Sequence, residues 1–290
     1  MITWLKPSPA LREFVRWYVY IHRAETAQHP VIPMIETRLA FYPRSAGRVF
    51  DHRLQGIATM ARAAVIGPLT RRWVDLPPGG VDVFFAFFQP GGFHRLFGGD
   101  ASALADYAHP AADVIGPGVN TVLERVEAAT RPEEMASALD GYLATRLSGA
   151  GALHPVDRAA QALAAAHGGI HAWTLAARAG LGDRNFRRRF VQHAGMGPKH
   201  YAKVARFAFA LSLKTARPSR TWAEVSQRAG YFDQMHLVKD FTSLTEVPPS
   251  RLISQIGPTR DDYFGPRPRH AGHVDPGLAD QGMAAGSVSY

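Results

Sequence analysis

Two kinds of hydrophobic spacing divide the 290-residue chain. In the first hundred or so residues, apolar positions come as short aromatic and β-branched runs separated by Gly and Pro. Arg12 to Ile21 carries Phe14, Val15, Trp17, Tyr18, Val19 and Tyr20, and Leu39-Ala40-Phe41-Tyr42 and Val81 to Phe88 are further runs of this kind. These predict strands, punctuated at Pro43, Gly67-Pro68, Pro77-Pro78-Gly79-Gly80 and Pro90-Gly91-Gly92. From Asn120 to Leu147 the period lengthens. Val122, Leu123, Val126, Met135, Leu139, Leu143 and Leu147 fall three and four residues apart, which predicts two helices broken at Arg131-Pro132. Ser148-Gly149-Ala150-Gly151-Ala152 reads as a short flexible linker. From Pro155 onward helix follows helix. Residues 257–290 are rich in Gly, Pro, Ala, Asp and Arg with few large apolar residues, the composition of a disordered tail.

The helical stretch contains an internal repeat. Leu175-Ala176-Ala177-Arg178-Ala179-Gly180 is followed by Leu181-Gly182-Asp183 and then Arg184-Asn185-Phe186-Arg187-Arg188-Arg189-Phe190. Val225-Ser226-Gln227-Arg228-Ala229-Gly230 is followed by Tyr231-Phe232-Asp233 and then Gln234-Met235-His236-Leu237-Val238-Lys239-Asp240-Phe241. Phe190 and Phe241 each precede a proline, Pro198 and Pro249, by eight residues. Each copy reads as helix, turn, helix. The glycine can take the left-handed conformation that stops the first helix, and Asp183 or Asp233 can cap the second. Phe186 with Phe190, and Leu237 with Phe241, lie four apart and face a core. The positions between them point outward: Arg184, Arg187 and Arg188 in the first copy, Gln234, Met235, His236 and Lys239 in the second. Such a face carries the donors that reach base edges in a major groove. With Asn185, these seven residues form the candidate DNA-binding set.

Charge sharpens this picture. The chain has 33 Lys and Arg against 24 Asp and Glu, a formal net charge of +9. Residues 155–256 hold 15 of the basic and 6 of the acidic residues, so the remainder is neutral. Excess positive charge confined to one helical segment points to a phosphate backbone as partner. There is no cysteine, which excludes disulfides, thiolate metal sites and cysteine nucleophiles. The N-terminus shows no basic-then-apolar leader, and the longest compact apolar run, Val83 to Phe88, is too short for a bilayer, so a cytoplasmic protein without membrane contact is expected.

The repeat resembles the AraC family of bacterial transcription regulators over about 100 residues: both units, the joining helix Tyr201 to Thr215 with Arg206-Phe207-Ala208-Phe209-Ala210-Leu211, and the turn Gly195-Met196-Gly197-Pro198. Two residues depart from the usual pattern, Glu246 where glycine is common and Leu237 where phenylalanine is common. Pro7-Ser8-Pro9-Ala10-Leu11, Arg16-Trp17-Tyr18, Gly67-Pro68, and Phe87-Phe88-Gln89-Pro90-Gly91-Gly92-Phe93 with Leu96-Phe97-Gly98 resemble the N-terminal part of one group within it. The resemblance implies an α+β protein. Its parts would be a mixed α/β sensing or dimerising domain at 1–147, a linker at 148–154, a double helix-turn-helix domain at 155–256, and the tail at 257–290. It implies two recognition helices on double-stranded DNA, RNA polymerase as protein partner, a small-molecule effector and a homodimer, with no cofactor and no catalysis.

Other readings are weaker. A DNA-binding module fused to an enzyme, such as an alkylation-repair protein with a methyl-accepting cysteine, lacks its cysteine here. An RNA or membrane binder lacks the aromatic or amphipathic signals. Arg184, Arg187 and Arg188 suit phosphates as well as bases, and Arg189 points toward the core side. His167 and His171 have metal-ligand spacing but Gly168-Gly169 interrupts them; His22, His29, His52 and His94 are scattered. Phe84-Phe85 and Phe87-Phe88 read as a buried strand before they read as a ligand pocket. No nucleophile elbow, phosphate-cradling loop or paired-carboxylate motif is present.

Overall fold

The computed structural model describes residues 1–24, 28–51, 56–76 and 80–256; the expected tail at 257–290, the Pro77-Pro78-Gly79 turn and His52 lie outside them. The N-terminal half is built on strands β1 (Ile2–Leu5), β2 (Val15–Arg23), β3 (His29–Val31), β4 (Arg38–Phe41), β5 (Arg48–Asp51), β6 (Gly56–Thr59), β7 (Ala63–Ile66), β8 (Trp73–Asp75), β9 (Val81–Phe88) and β10 (Ala108–Pro110). They form two antiparallel sheets. One has six strands in the order β1-β2-β9-β4-β7-β10, the other four in the order β3-β8-β5-β6. Helices α1 (Gly92–Phe97), α2 (Ala111–Ile115), α3 (Val119–Ala128) and α4 (Pro132–Ala144) complete this half.

Alternation of side chains along each strand explains the layering. Leu39, Phe41, Val65, Phe84 and Phe88 point to the outer face of the larger sheet, where they pack with Val122, Val126, Leu139 and Leu143 of α3 and α4. Their neighbours Ala40, Ala64, Ile66 and Val83 point the other way, against Val49 and Trp73 of the smaller sheet. The Phe run of β9 is thus split: Phe84 and Phe88 are core, while Phe85 and Phe87 are half-buried between the sheets. The expected strand at Arg12–Ile21 begins only at Val15, because a short 3-10 turn, Pro9–Leu11, buries Leu11 first. The helix break at Arg131-Pro132 lies between α3 and α4, as the spacing predicts.

The C-terminal half is all helical: α5 (Pro155–Ala165), α6 (Ala172–Arg178), α7 (Asp183–Ala194), α8 (Pro198–Ala216), α9 (Trp222–Arg228), α10 (Gln234–Thr245) and α11 (Pro249–Ile256). One core runs through it and takes in Ile32 from the N-terminal half. No helix among the described residues is long and apolar enough to cross a membrane.

The linker is not free, contrary to its composition. Leu147 and Ala150 pack against the N-terminal core. Gly151 N–H donates to Arg95 O at 2.8 Å and its carbonyl accepts from Arg95 Nε at 3.0 Å. The guanidinium also lies over the Phe14 ring, 4.2 Å from its centre. Gly and Ala supply little bulk here, and that lets the chain lie flat against α1.

Candidate nucleic-acid interface

Each copy of the repeat folds as a helix pair: α6 with α7, α9 with α10. The turns work as the sequence predicts. Gly180 and Gly230 stand at φ +65° and +73°, where an L side chain would be strained. The entry to α10 is capped by Asp233, whose carboxylate accepts from His236 N–H at 2.6 Å. The entry to α7 differs. Gly182 occupies the cap position, and Asp183 lies inside the first turn, paired with Arg187 at 2.9 Å. The carboxylate still favours the helix N-terminus through the dipole, but it steers an arginine instead of capping.

The apolar stripe is buried as expected. Phe186, Phe190, Leu237 and Phe241 are all fully enclosed. Phe190 meets Tyr201 edge-on at 5.3 Å, and Phe241 meets Phe207 at 4.6 Å and Trp222 at 5.6 Å. Tyr201 and Phe207 both belong to α8, so this one helix seats both units. Nineteen residues of α8 at about 1.5 Å each make a strut roughly 28 Å long.

The opposite faces are open. Arg184, Arg187 and Arg188 of α7, and Gln234, Met235, His236 and Lys239 of α10, are exposed, as is Phe232 in the turn before α10. Asn185 is half-buried. Its Oδ1 accepts from Arg188 Nη2 at 3.0 Å and from Arg189 Nε at 3.3 Å, so it orients two arginines. Arg189 turns inward, as its position predicts, to within 3.3 Å of His154 Nε2. His236 stands 3.9 Å from Asp240, which is engaged by Lys203 of α8 at 3.3 Å. Fixed arginines on α7 face fewer rotamer losses when they meet an anion. Tyr231 carries the turn before α10 into the core, and burial pushes its hydroxyl up from the usual 10.

The end of α7 abuts the N-terminal half. Gly195 takes φ +75° there, and a Cβ on it would lie 2.9 Å from the Pro68 ring and 3.0 Å from Ala101 O. His193 Nδ1 donates to Asp157 Oδ1, 2.8 Å away, and its ring lies 4.1 Å from that of His94. At the other end, Arg72 N–H donates to Leu244 O of α10 at 3.2 Å, and its side chain reaches Gln255 of α11 at 3.0 Å. Sequence reasoning missed this seam, because its arginine and histidines belong to no motif. His167 and His171 are not a pair: His167 stacks flat on Phe209 at 3.7 Å, and His171 stacks with Trp173.

Residues 175–255 match the model of a helix-turn-helix domain. The C-terminal half thus carries a helix-turn-helix domain of the AraC type. Residues 4–110 match a domain of unknown function, DUF6597. No curated protein matches this chain in sequence. Its fold is similar to that of apo ToxT, a point variant from Vibrio cholerae strain SCE256, with 9% identity and a TM-score of 0.50 over 84% of this chain and 98% of that one. A second crystal form of Vibrio cholerae ToxT has 9% identity and a TM-score of 0.48, over 83% and 98% of the two chains. Both units of the repeat lie within the residues matched by the helix-turn-helix model, a unit that docks DNA through its second helix.

Proposed function

We propose that this AraC-type protein is a sequence-specific, non-catalytic regulator of transcription in the cytoplasm, which reads double-stranded DNA with α7 and α10 and responds to a small molecule held by its N-terminal half. The observation that carries the reading is the pair of exposed polar faces, each on the second helix of a helix-turn-helix and each backed by a buried Phe that α8 fixes. Arg184, Arg187 and Arg188 with Asn185, and Gln234, Met235, His236 and Lys239, are the contact set. A glutamine can bond adenine through two hydrogen bonds, and Arg or Lys can donate to guanine. The domain division at 1–147, 148–154 and 155–256 is part of the proposal, as are RNA polymerase as protein partner and a homodimer on the DNA.

The test is selection of bound sequences from a random duplex pool with the full chain, followed by titration of the winner against salt. Selection should converge on one sequence. Affinity should fall steeply with salt, since each neutralised phosphate releases counterions. A pool that stays random, or binding indifferent to salt, overturns the reading.

A further inference from the structure

Among the described residues six large apolar side chains stand exposed, and the two most exposed are close together. Phe232 is 94% exposed and Met235 is 75% exposed. A single apolar residue on a surface needs no explanation, but two beside one another on a functional face do. Phe232 lies in the turn before α10 and Met235 in the first turn of that helix, with Gln234 between them in the chain.

The turn fixes the backbone that carries them. Tyr231, on one side of Phe232, is buried, with the Arg206 guanidinium 5.5 Å over its ring. Asp233, on the other side, caps α10 by accepting from His236 N–H at 2.6 Å. His236 is itself occupied: its ring meets that of Tyr231 edge-on at 5.3 Å, and it stands 3.9 Å from Asp240. Phe232 is thus a ring presented on a backbone anchored at both neighbours, which loses little freedom on docking. The first unit has no counterpart at these positions. Counting from Gly180 and Gly230, Gly182 stands where the second unit has Phe232, and Asn185 where it has Met235. The two reading helices therefore offer different chemistry: arginines on α7, and an apolar pair around one amide at the start of α10.

A major groove presents hydrogen-bonding edges and one apolar group, the C5-methyl of thymine. A protein partner seated on Phe232 and Met235 would cover Gln234 as well and block the reading helix. The groove that receives Gln234 covers all three without that conflict. We propose that Phe232 and Met235 hold a thymine methyl group, so that α10 reads A·T pairs by an amide and an apolar contact together. The proposal rests on the assignment of α10 as a DNA-reading helix and adds Phe232 to its contact set.

The experiment starts from the duplex that the full chain selects from a random pool. Its thymines are replaced one at a time with deoxyuridine, which removes the methyl group and leaves every hydrogen-bonding edge in place. Affinity is measured by fluorescence anisotropy at fixed salt. At least one position should weaken about fourfold, the worth of one buried methyl group. In the Phe232→Ala/Met235→Ala double variant, thymine and uracil at that position should bind alike. Its circular dichroism should match the parent's, since both side chains lie outside the core. Arg187→Ala is the control: it should weaken both duplexes equally and keep their ratio. Uracil tolerated at every position, a selected site without thymine, or a ratio that persists in the double variant overturns the proposal and leaves α10 standing as a reading helix. A pool that stays random removes that assignment and the proposal with it.

Discussion

Glu246 ends α10 at φ +62°, in the left-handed conformation that Gly195 takes at the end of α7. An L side chain there costs about 1–2 kcal/mol, while glycine loses roughly 0.5–1 kcal/mol more chain entropy on folding. Glu246→Gly is therefore expected to stabilise the protein by about 0.5–1 kcal/mol, read as a higher urea midpoint at unchanged slope. An unmoved or lower midpoint would mean that contacts of the glutamate outweigh the strain. The reading faces make a sharper contrast. Gln234→Ala and Lys239→Ala should fold normally and each cost about 1–3 kcal/mol at one base position of the selected site. Phe241→Ala should cost about 3–5 kcal/mol of stability and weaken binding to every sequence alike. Binding profiles over single-base variants, with circular dichroism on each protein, separate the two classes. If both alanine variants bind every sequence as the parent does, another surface reads the DNA. At this scale the sequence was a good guide where spacing decides the outcome: residues four apart on a helix share a face, so Phe186, Phe190, Leu237 and Phe241 had to be buried together. It was a poor guide to Asp183. A carboxylate at a helix start has two partners in reach, the backbone behind it and an arginine four residues ahead, and only the local backbone path selects Arg187.

Among the elements, α9 shows how much a short helix depends on its cap. It has seven residues, too few to stand alone. Thr221 Oγ1 accepts from Glu224 N–H at 3.2 Å, and the Glu224 carboxylate returns to Thr221 N–H at 2.7 Å. Those hydrogen bonds hold the Glu224 carboxyl below its usual range. Thr221→Ala should cost about 1 kcal/mol, and amide exchange should rise in α9 before it rises in α6. Uniform exchange would place the weak point elsewhere. The long helices were legible because several turns of periodicity accumulate in α3, α4 and α8. The smaller sheet was not. His29–Val31, Trp73–Asp75 and Gly56–Thr59 are three or four residues long, too short to show alternation. Such strands exist because a neighbour completes their hydrogen bonds, and no neighbour is visible along a sequence. Buried Arg38, the first residue of β4, was hidden for the same reason: an arginine at the head of an apolar strand looks like a surface residue until the second sheet closes over it.

The whole molecule is joined along a seam that carries histidines. His94 and His154 are both held below the usual 6.5, first by burial and then by His193. Asp157 and Asp100 oppose the shift at His94; Asp157 opposes it at His154, where Arg189 and Arg158 add to it. The folded state favours the neutral rings. Their contribution is thus whole above about pH 6.5 and is lost as pH falls below it toward the folded values. The urea midpoint should drop between about pH 7 and 5, and His94→Gln should flatten that drop. An equal drop in the variant would assign it to other groups. The seam also bears on the DNA. The first helix pair leans on Pro68 and Ala101 through Gly195, the second is fastened to Arg72 through Leu244 and Gln255, and α8 runs between them. A pair of readers on a loose tether would track a site whose halves had been moved apart. Readers held by a strut and braced at both ends cannot. Inserting one base pair between the half-sites turns the second by about 35° and shifts it by roughly 3.4 Å, which the protein can follow only by breaking a brace. The DNA sites it selects should therefore share one fixed spacing, and the protein should read a gap of the wrong length as poorly as a wrong base.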